Sequence, residues 1–564
     1  MKLPIKFHDG KKVDNIRSAI RAAARRYSAR PAIMQKFAGS YREISYAELL
    51  YKVEGLGTEL LSRGFYGKRI LLLGDNCLEW ATVYLACVCG LAVVMPVDKD
   101  IDTAELLKIS EKTEAAAIFY SPKYEEKATA LGTNIKKYSF NSLEALIEEG
   151  TGKLSCGDTD YLRLSIDEGD LAVICFNRNS SGESRGIMLS QRNLCFDLSE
   201  LTKTVICYPD DVYLSVLPTH HIYEMVCGFL YPLISGACVA FCEGLRYISR
   251  NIQEVRPTVM VCVPYLLDTI YRKIKNNIRL KGSEKRVRAA IKLTGSSLSL
   301  KKRVFSEIHD SLGGRLRLFI AGGSIADPEI IRGLRELGFR TAQSYGLTDT
   351  LPLISICSDF AYNDNSVGVC VPDGILDIYD IGGDGIGEIR YKGDNILSGI
   401  FGDPAATSSL IRDGWLYTGD LGYLDRDGFL YIAGKKKNVF VTASGKNIFP
   451  EELEDLLRRN RFINEAVIVG YVNEAREDYD IVAVLHPEKS EFEEVYGKNY
   501  SRGQVDAEFS RAIDEVNRSV APFKKIHFFV TRKEEFAMNS SRKVRRSGVA
   551  EKARSEYLRK LARS

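Results

Sequence analysis

Up to about residue 340 the chain alternates fully apolar runs with segments whose apolar residues recur three and four positions apart. The runs Arg69–Gly74, Ala116–Tyr120, Leu171–Phe176 and Thr258–Val263 are short, rich in aliphatic and aromatic residues, and uncharged after their first residue. They predict interior strands, because a strand buried on both faces shows no polar alternation. Ser45–Arg63 and Tyr265–Lys275 carry the helical period, and the alternation of the two kinds of segment predicts parallel sheets covered by helices.

Trp80–Val97 is uncharged for long enough to raise the question of a membrane span. Gly90 and Pro96 interrupt it, so it reads instead as a buried helix, a turn and a buried strand. From Gly368 to Asp425 the texture changes to short strands separated by Gly and Asp turns, which predicts antiparallel, barrel-like structure. Within it, the glycines of Tyr379–Gly387 form a hairpin turn rather than a dinucleotide loop, since no helix follows. Beyond Lys435, the charged helices Pro450–Arg459 and Asp506–Asn517 mix with the strands Ala466–Gly470 and Ile481–Leu485. The expected fold class is therefore α/β. A large N-terminal domain of two doubly wound sheets plus a distorted β-barrel spans 1–434, and a small mobile α+β domain spans 435–564.

Composition narrows the picture only modestly. Hydrophobic residues make up 45% and charged residues 27%, ordinary for a globular enzyme, and the net charge of +4 implies no nucleic acid or other polyanion. From Ser541 to Ser564 there are nine Lys or Arg against two Glu. That run reads as a solvated helix face, with attraction to CoA phosphates or peripheral contact with an anionic membrane as the sharper alternative. Thirteen scattered cysteines without zinc-like spacing read as buried thiols of a reduced, cytoplasmic protein, and Met1–Gly10 lacks the apolar core of a secretory signal.

Five stretches carry candidate chemistry. Asn177-Arg-Asn-Ser-Ser-Gly182 with Glu183-Ser-Arg-Gly186 follows a predicted strand. Ser180, Ser181 and Gly182 are small enough for backbone N–H groups to approach an anion, and Arg185 adds charge. Leu217-Pro-Thr-His-His-Ile-Tyr223 brings a histidine, His221. Ala321-Gly-Gly-Ser324 precedes Ser344-Tyr-Gly-Leu-Thr-Asp349, which offers an aromatic face, a hydroxyl donor and a hard oxygen in six residues. Trp415-Leu-Tyr-Thr-Gly-Asp-Leu-Gly422 leads through Gly434-Lys-Lys-Lys-Asn438 to Ala443-Ser-Gly-Lys-Asn-Ile-Phe-Pro-Glu-Glu452. Asn539-Ser-Ser-Arg-Lys-Val-Arg545 closes the series.

In this order the stretches resemble the adenylate-forming superfamily of acyl-CoA synthetases, adenylation domains and luciferases, and most of all long-chain fatty acyl-CoA synthetases. The resemblance implies ATP, Mg²⁺ and coenzyme A. It assigns nucleotide contacts to Ser180, Ser181, Gly182, Arg185, Gly322, Gly323, Ser324, Tyr345, Gly346, Thr348, Asp420 and Lys435. By the same resemblance His221 lies by the acyl group, Gly445 by the pantetheine, and Lys437 at a hinge. Asp349 holds the metal, and Lys543, with Thr348 and Asp349, is catalytic. Several positions depart from the family pattern: Arg178 and Asn179 stand where small residues are usual, Gln191 where His is frequent, Asp349 for Glu, and Lys435 for Arg, which loses a bidentate fork. The implied activity is ATP-dependent conversion of a carboxylic, and specifically fatty, acid to acyl-AMP and then to acyl-CoA. The competing readings are a catalytically impaired relative that binds nucleotide or acyl groups, and a ligase serving a separate acyl carrier protein.

Overall fold

The computed structural model describes residues 5–178, 184–442, 446–473, 478–537, 544, 546 and 548–562. The chain divides into two compact units. The first comprises residues 1–376, 391–417 and 425–430, the second residues 377–390, 418–424 and 431–564.

The first unit is built on two large sheets. One has nine strands, of which six run parallel in the order Arg340–Tyr345, Leu318–Ala321, Val259–Cys262, Val212–Ser215, Cys238–Phe241 and Pro31–Phe37. Antiparallel strands close both of its edges: Ser355–Ile356 and Val369–Cys370 on one side, Ser40–Ser45 on the other. The second sheet has seven strands, with Leu171–Arg178, Val93–Val97, Arg69–Leu73, Ala117–Tyr120 and Lys136–Ser139 parallel. Ser184–Ser190 is antiparallel to Leu171–Arg178, and Gly399–Ile400 pairs antiparallel with Ser184–Ser190 at the edge. Each predicted interior strand is present and buried, and the α/β class with several sheets stands. Burial explains the uniform apolar runs: Ile70 to Leu73 and Val259 to Cys262 are almost wholly removed from water.

Trp80–Val97 folds as read from sequence. A helix Leu78–Ala86 passes through a kink, with Gly90 at φ 100°, into the strand Val93–Val97. Among the described residues no helix is long and apolar enough to cross a membrane. Ser45 caps the helix Tyr46–Ser62 by accepting from the Glu48 N–H. The helix after Val259–Cys262 is longer than its apolar period suggested. It runs from Pro264 to Leu280, because its last turns are basic and exposed rather than apolar.

In the second unit Ile463–Asn473 and Asp478–Pro487 pair antiparallel, and Phe528–Thr531 lies parallel to the latter. Helices Pro450–Arg458 and Arg502–Ser519 share one apolar cluster with Ile468, Ile481 and Leu485. Val549–Leu561 packs on Val467, Val482 and Val530. The second of these helices begins four residues before its apolar period because Ser501 and Gln504 form a capping box. All thirteen cysteines are free, eight of them buried, as their apolar flanks suggested.

Candidate nucleotide and acyl site

In the first unit the sequence motifs fall just beyond the carboxyl ends of four adjacent parallel strands, where ligands bind in open α/β sheets. Leu217–Tyr223 follows Val212–Ser215, and Pro264 begins a helix after Val259–Cys262. Gly322–Ser324 follows Leu318–Ala321, and Gly346–Asp349 follows Arg340–Tyr345. Sheet register thus gathers segments far apart in sequence into one row.

Two glycines are required by close approach. A Cβ on Gly322 would meet the Tyr223 ring at 2.5 Å, and one on Gly346 would meet the Pro352 carbonyl oxygen at 2.4 Å. The Tyr223 hydroxyl in turn hydrogen-bonds the Ser344 hydroxyl at 2.9 Å, tying the histidine segment to the Ser-Tyr-Gly segment. Tyr223 was not singled out from sequence, although it ends the quoted motif. Tyr345 is buried, Gly323, Gly346 and Thr348 are half-buried, and Ser324 is exposed. His221 is half-buried and its Nδ1 accepts from the Tyr223 N–H at 3.4 Å.

Arg185 extends from the strand Ser184–Ser190 and its guanidinium donates to Asp349 Oδ1, joining residues 164 positions apart. Burial pushes the Asp349 carboxyl above the usual carboxylate range, and the guanidinium opposes that shift. The pair places a fixed cation and an acid together beside Thr348. Ser180, Ser181 and Gly182 lie outside the described residues.

One buried acid here was missed. Glu224 begins a π-helical stretch, Glu224–Leu230, and is 0% exposed. Neither of its carboxyl oxygens has a hydrogen-bond partner among the described residues. Burial drives the carboxyl up to about 8, against a smaller opposing effect of the Ser215 hydroxyl. Only its position three residues after His221 could have flagged it, since π-bulges gather at functional sites.

In the second unit Asp420 is buried and accepts from Lys435 Nζ at 2.7 Å. Glu388, also unforeseen, accepts from the Gly419 N–H at 3.2 Å and from Lys436 Nζ at 2.7 Å. It follows Gly387 at the end of the glycine hairpin, where nothing in the local pattern marks it. Lys437 is exposed within the 3-10 turn Lys436–Asn438, whose Asn438 donates to Glu451 Oε1 at 2.6 Å. Phe440–Val441 pairs with Asn447–Ile448 as a hairpin, and Gly445 lies outside the described residues. So does Lys543. Three residues further along the sequence, Arg546 pairs with the buried Glu454, whose carboxyl also accepts from the Ile468 N–H at 2.7 Å.

Parallel sheets whose loops present glycine turns, hydroxyls and a cation–acid pair define a nucleotide-handling α/β enzyme. The fold is that of the adenylate-forming enzymes: ATP-bound MatB from Rhodopseudomonas palustris superposes with a TM-score of 0.74 at 22% identity, over 96% of this chain and 99% of that one. The o-succinylbenzoate CoA synthetase of Bacillus subtilis, with its acyl-adenylate, superposes at 0.71 and 20% identity, over 95% and 98%. The AMP-binding enzyme family matches residues 20–401, and the chain belongs to that family. Among its relatives, long-chain-fatty-acid–CoA ligase 5 of Rattus norvegicus is 28% identical over 76% of this chain and 69% of its own length. The Mycobacterium bovis long-chain-fatty-acid–CoA ligase FadD15 is 25% identical over 92% of each chain.

Proposed function

We propose that the protein activates a fatty acid with ATP and transfers the acyl group to coenzyme A. The carrying observation is the Arg185–Asp349 pair beside Thr348, which sets a cation, a carboxylate and a hydroxyl together at the mouth of the sheet. The names of the relatives, long-chain-fatty-acid–CoA ligases, support the choice of acid and acceptor.

In the first step a carboxylate oxygen attacks the α-phosphorus. A new O–P bond forms, the bridging P–O bond to the β-phosphate breaks, and pyrophosphate leaves. Negative charge spreads over the phosphoryl oxygens, so catalysis rests on positioned donors rather than on covalent help from the protein. Arg185 and the Thr348 hydroxyl bind phosphate, Lys543 supplies positive charge, and Ser180, Ser181 and Gly182 cradle the triphosphate. The Gly322–Gly323–Ser324 turn and Gly346 shape the base pocket, Tyr345 contacts adenine, and Asp420 with Lys435 binds ribose. In the second step the CoA sulfur, as thiolate, attacks the acyl carbonyl and AMP leaves. His221 lies by the acyl group, Gly445 by the pantetheine, and residues 435–564 turn about Lys437 between steps, which keeps water from acyl-AMP.

Magnesium fits one carboxylate. Among the described residues no three His, Cys, Asp or Glu side chains gather as a metal site. Mg²⁺ ordinarily takes one or two carboxylates and completes its shell with substrate phosphate and water, so Asp349 alone is an adequate protein ligand. When bound, the ion neutralises phosphate charge.

Mass spectrometry after incubation with ATP, Mg²⁺, CoA and mixed fatty acids tests the proposal: acyl-AMP and then acyl-CoA accumulate. Nucleotide binding without turnover would mark an impaired relative, and acyl-AMP that CoA does not consume would mark a carrier-protein ligase.

A further inference from the structure

No motif falls on residues 393–398, yet this stretch, which leads into the edge strand Gly399–Ile400 of the seven-stranded sheet, is fastened from two sides. On one side lies the helix Gln191–Thr204, where Asn193 and Asp197 stand one turn apart on the same face. Asn193 Nδ2 donates to the Asp394 carbonyl at 2.7 Å and to the Ile396 carbonyl at 2.8 Å. Asp197 Oδ1 accepts from Asn395 Nδ2 at 2.7 Å. On the other side lies the loop that follows Arg340–Tyr345 and carries Thr348 and Asp349. The Leu397 N–H donates to the Asp349 carbonyl at 2.8 Å. Asn395 Nδ2 also donates to the Thr350 carbonyl at 2.9 Å and to the Leu353 carbonyl at 2.5 Å. Asn395, Asp197, Thr350 and Leu353 are all fully buried.

The surroundings fix which way this amide faces. Turned over, it would set its oxygen against two carbonyl oxygens and a carboxyl oxygen. As it stands, one NH₂ group serves all three, and Oδ1 has no partner among the described residues. The two carbonyls it holds flank Leu351, whose φ of 53° is a left-handed conformation that a leucine side chain disfavours. Such a backbone persists only where its neighbours over-determine it. Within the loop the Leu347 N–H donates to the Thr350 hydroxyl at 3.0 Å, and the Thr350 N–H donates to the Leu347 carbonyl at 3.2 Å. Thr348 and Asp349 are thus enclosed in a turn that ends on Thr350. Where the Thr350 carbonyl is held, the Thr348 hydroxyl and the Asp349 carboxyl follow.

We infer that Asn395 is a positioning residue for adenylation, an inference that rests on the ATP reading of the Thr348–Asp349 loop. Its partners on that loop are backbone carbonyls, so it acts through the loop rather than on substrate. Asn395 fixes the strained turn from behind, and Asp197 fixes the direction in which the amide donates. A displacement of about 1 Å in groups that meet a reacting phosphate can cost about 10²-fold in rate, which is the effect such a brace prevents.

The test uses the full chain and two variants. Asn395→Asp keeps the side-chain shape and removes the donor. Asn395→Asp/Asp197→Asn restores an amide–carboxyl pair with the donor now on the helix, so the core is satisfied while the loop carbonyls stay unheld. The double variant melts with the wild type. In hydrogen–deuterium exchange followed by mass spectrometry, its peptides over residues 344–356 exchange about tenfold faster or more, the loss of one or two hydrogen bonds. With saturating ATP, Mg²⁺ and fatty acid, its kcat for pyrophosphate release falls by about 10²-fold while KM for the acid holds. The single variant shows the same two effects with a lower melting temperature. Unchanged exchange in that loop, an unchanged kcat, or losses that merely track a lowered melting temperature across the whole chain would overturn the inference. A wild type that releases no pyrophosphate would sink the ATP reading instead, and exchange in the variants would still decide whether Asn395 holds the loop.

Discussion

Glu224→Gln isolates the buried acid beside the histidine segment. In the folded chain the Glu224 carboxyl is pushed up to about 8 by burial, with no cation against it, whereas an unfolded glutamate titrates at 4.5. Between those values the unfolded state has released the proton and the folded state has kept it. Stability therefore falls with rising pH at about 1.4 kcal/mol per unit and levels off above the folded value. Across the whole window the burden is about 5 kcal/mol. Glutamine fills the same volume and carries no charge in either state, so the variant lacks this slope. Trp80 reports locally: its ring lies edge-on to Phe229, on the same π-helical stretch, at 6.0 Å between centroids. Urea unfolding followed by tryptophan fluorescence in buffers from about pH 5 to 9 should show the variant gaining on the wild type steadily as pH rises. Parallel stability curves for the two proteins would refute the reasoning. In a Trp415→Phe background Trp80 is the one tryptophan, so the fluorescence transition reports the unit that holds Glu224.

Asp349→Asn removes the carboxylate but leaves Arg185 in place, and pyrophosphate release should fall by about 10²–10³-fold with little change in melting temperature. Lys543→Ala should cost a similar factor, about 10²–10³, in acyl-AMP formation while ATP binding measured by calorimetry persists. Undiminished adenylation in that variant would move the catalytic charge elsewhere. Lys437→Pro should slow thioester formation more than adenylation, as read from single-turnover accumulation of acyl-AMP. Equal damage to both steps would count against a hinge there.

The interior strands were legible because burial on both faces leaves uninterrupted apolar runs, and Trp80–Val97 because Gly90 and Pro96 punctuate it. Element ends were less so. Pro264–Leu280 outruns its apolar period because its last turns are basic and largely exposed, and Arg502–Ser519 starts at a cap rather than at an apolar residue. The motif residues could be named in advance, but their partners could not. That Arg185 would meet Asp349 depends on two sheets bringing distant segments together, and that Tyr223 would lie under Gly322 depends on strand order within one sheet; no local pattern encodes either. Glu224 and Glu388 were invisible for the same reason. A single glutamate looks alike whether it is solvated, paired or buried without a partner.

The central claim is that a substrate carboxylate attacks the α-phosphorus of ATP, and an oxygen label follows that bond directly. With fatty acid carrying ¹⁸O in its carboxyl group, together with ATP, Mg²⁺ and CoA, the AMP released on thioester formation should contain one ¹⁸O per turnover, and the pyrophosphate none. Unlabelled AMP, or label appearing in pyrophosphate, would contradict the account.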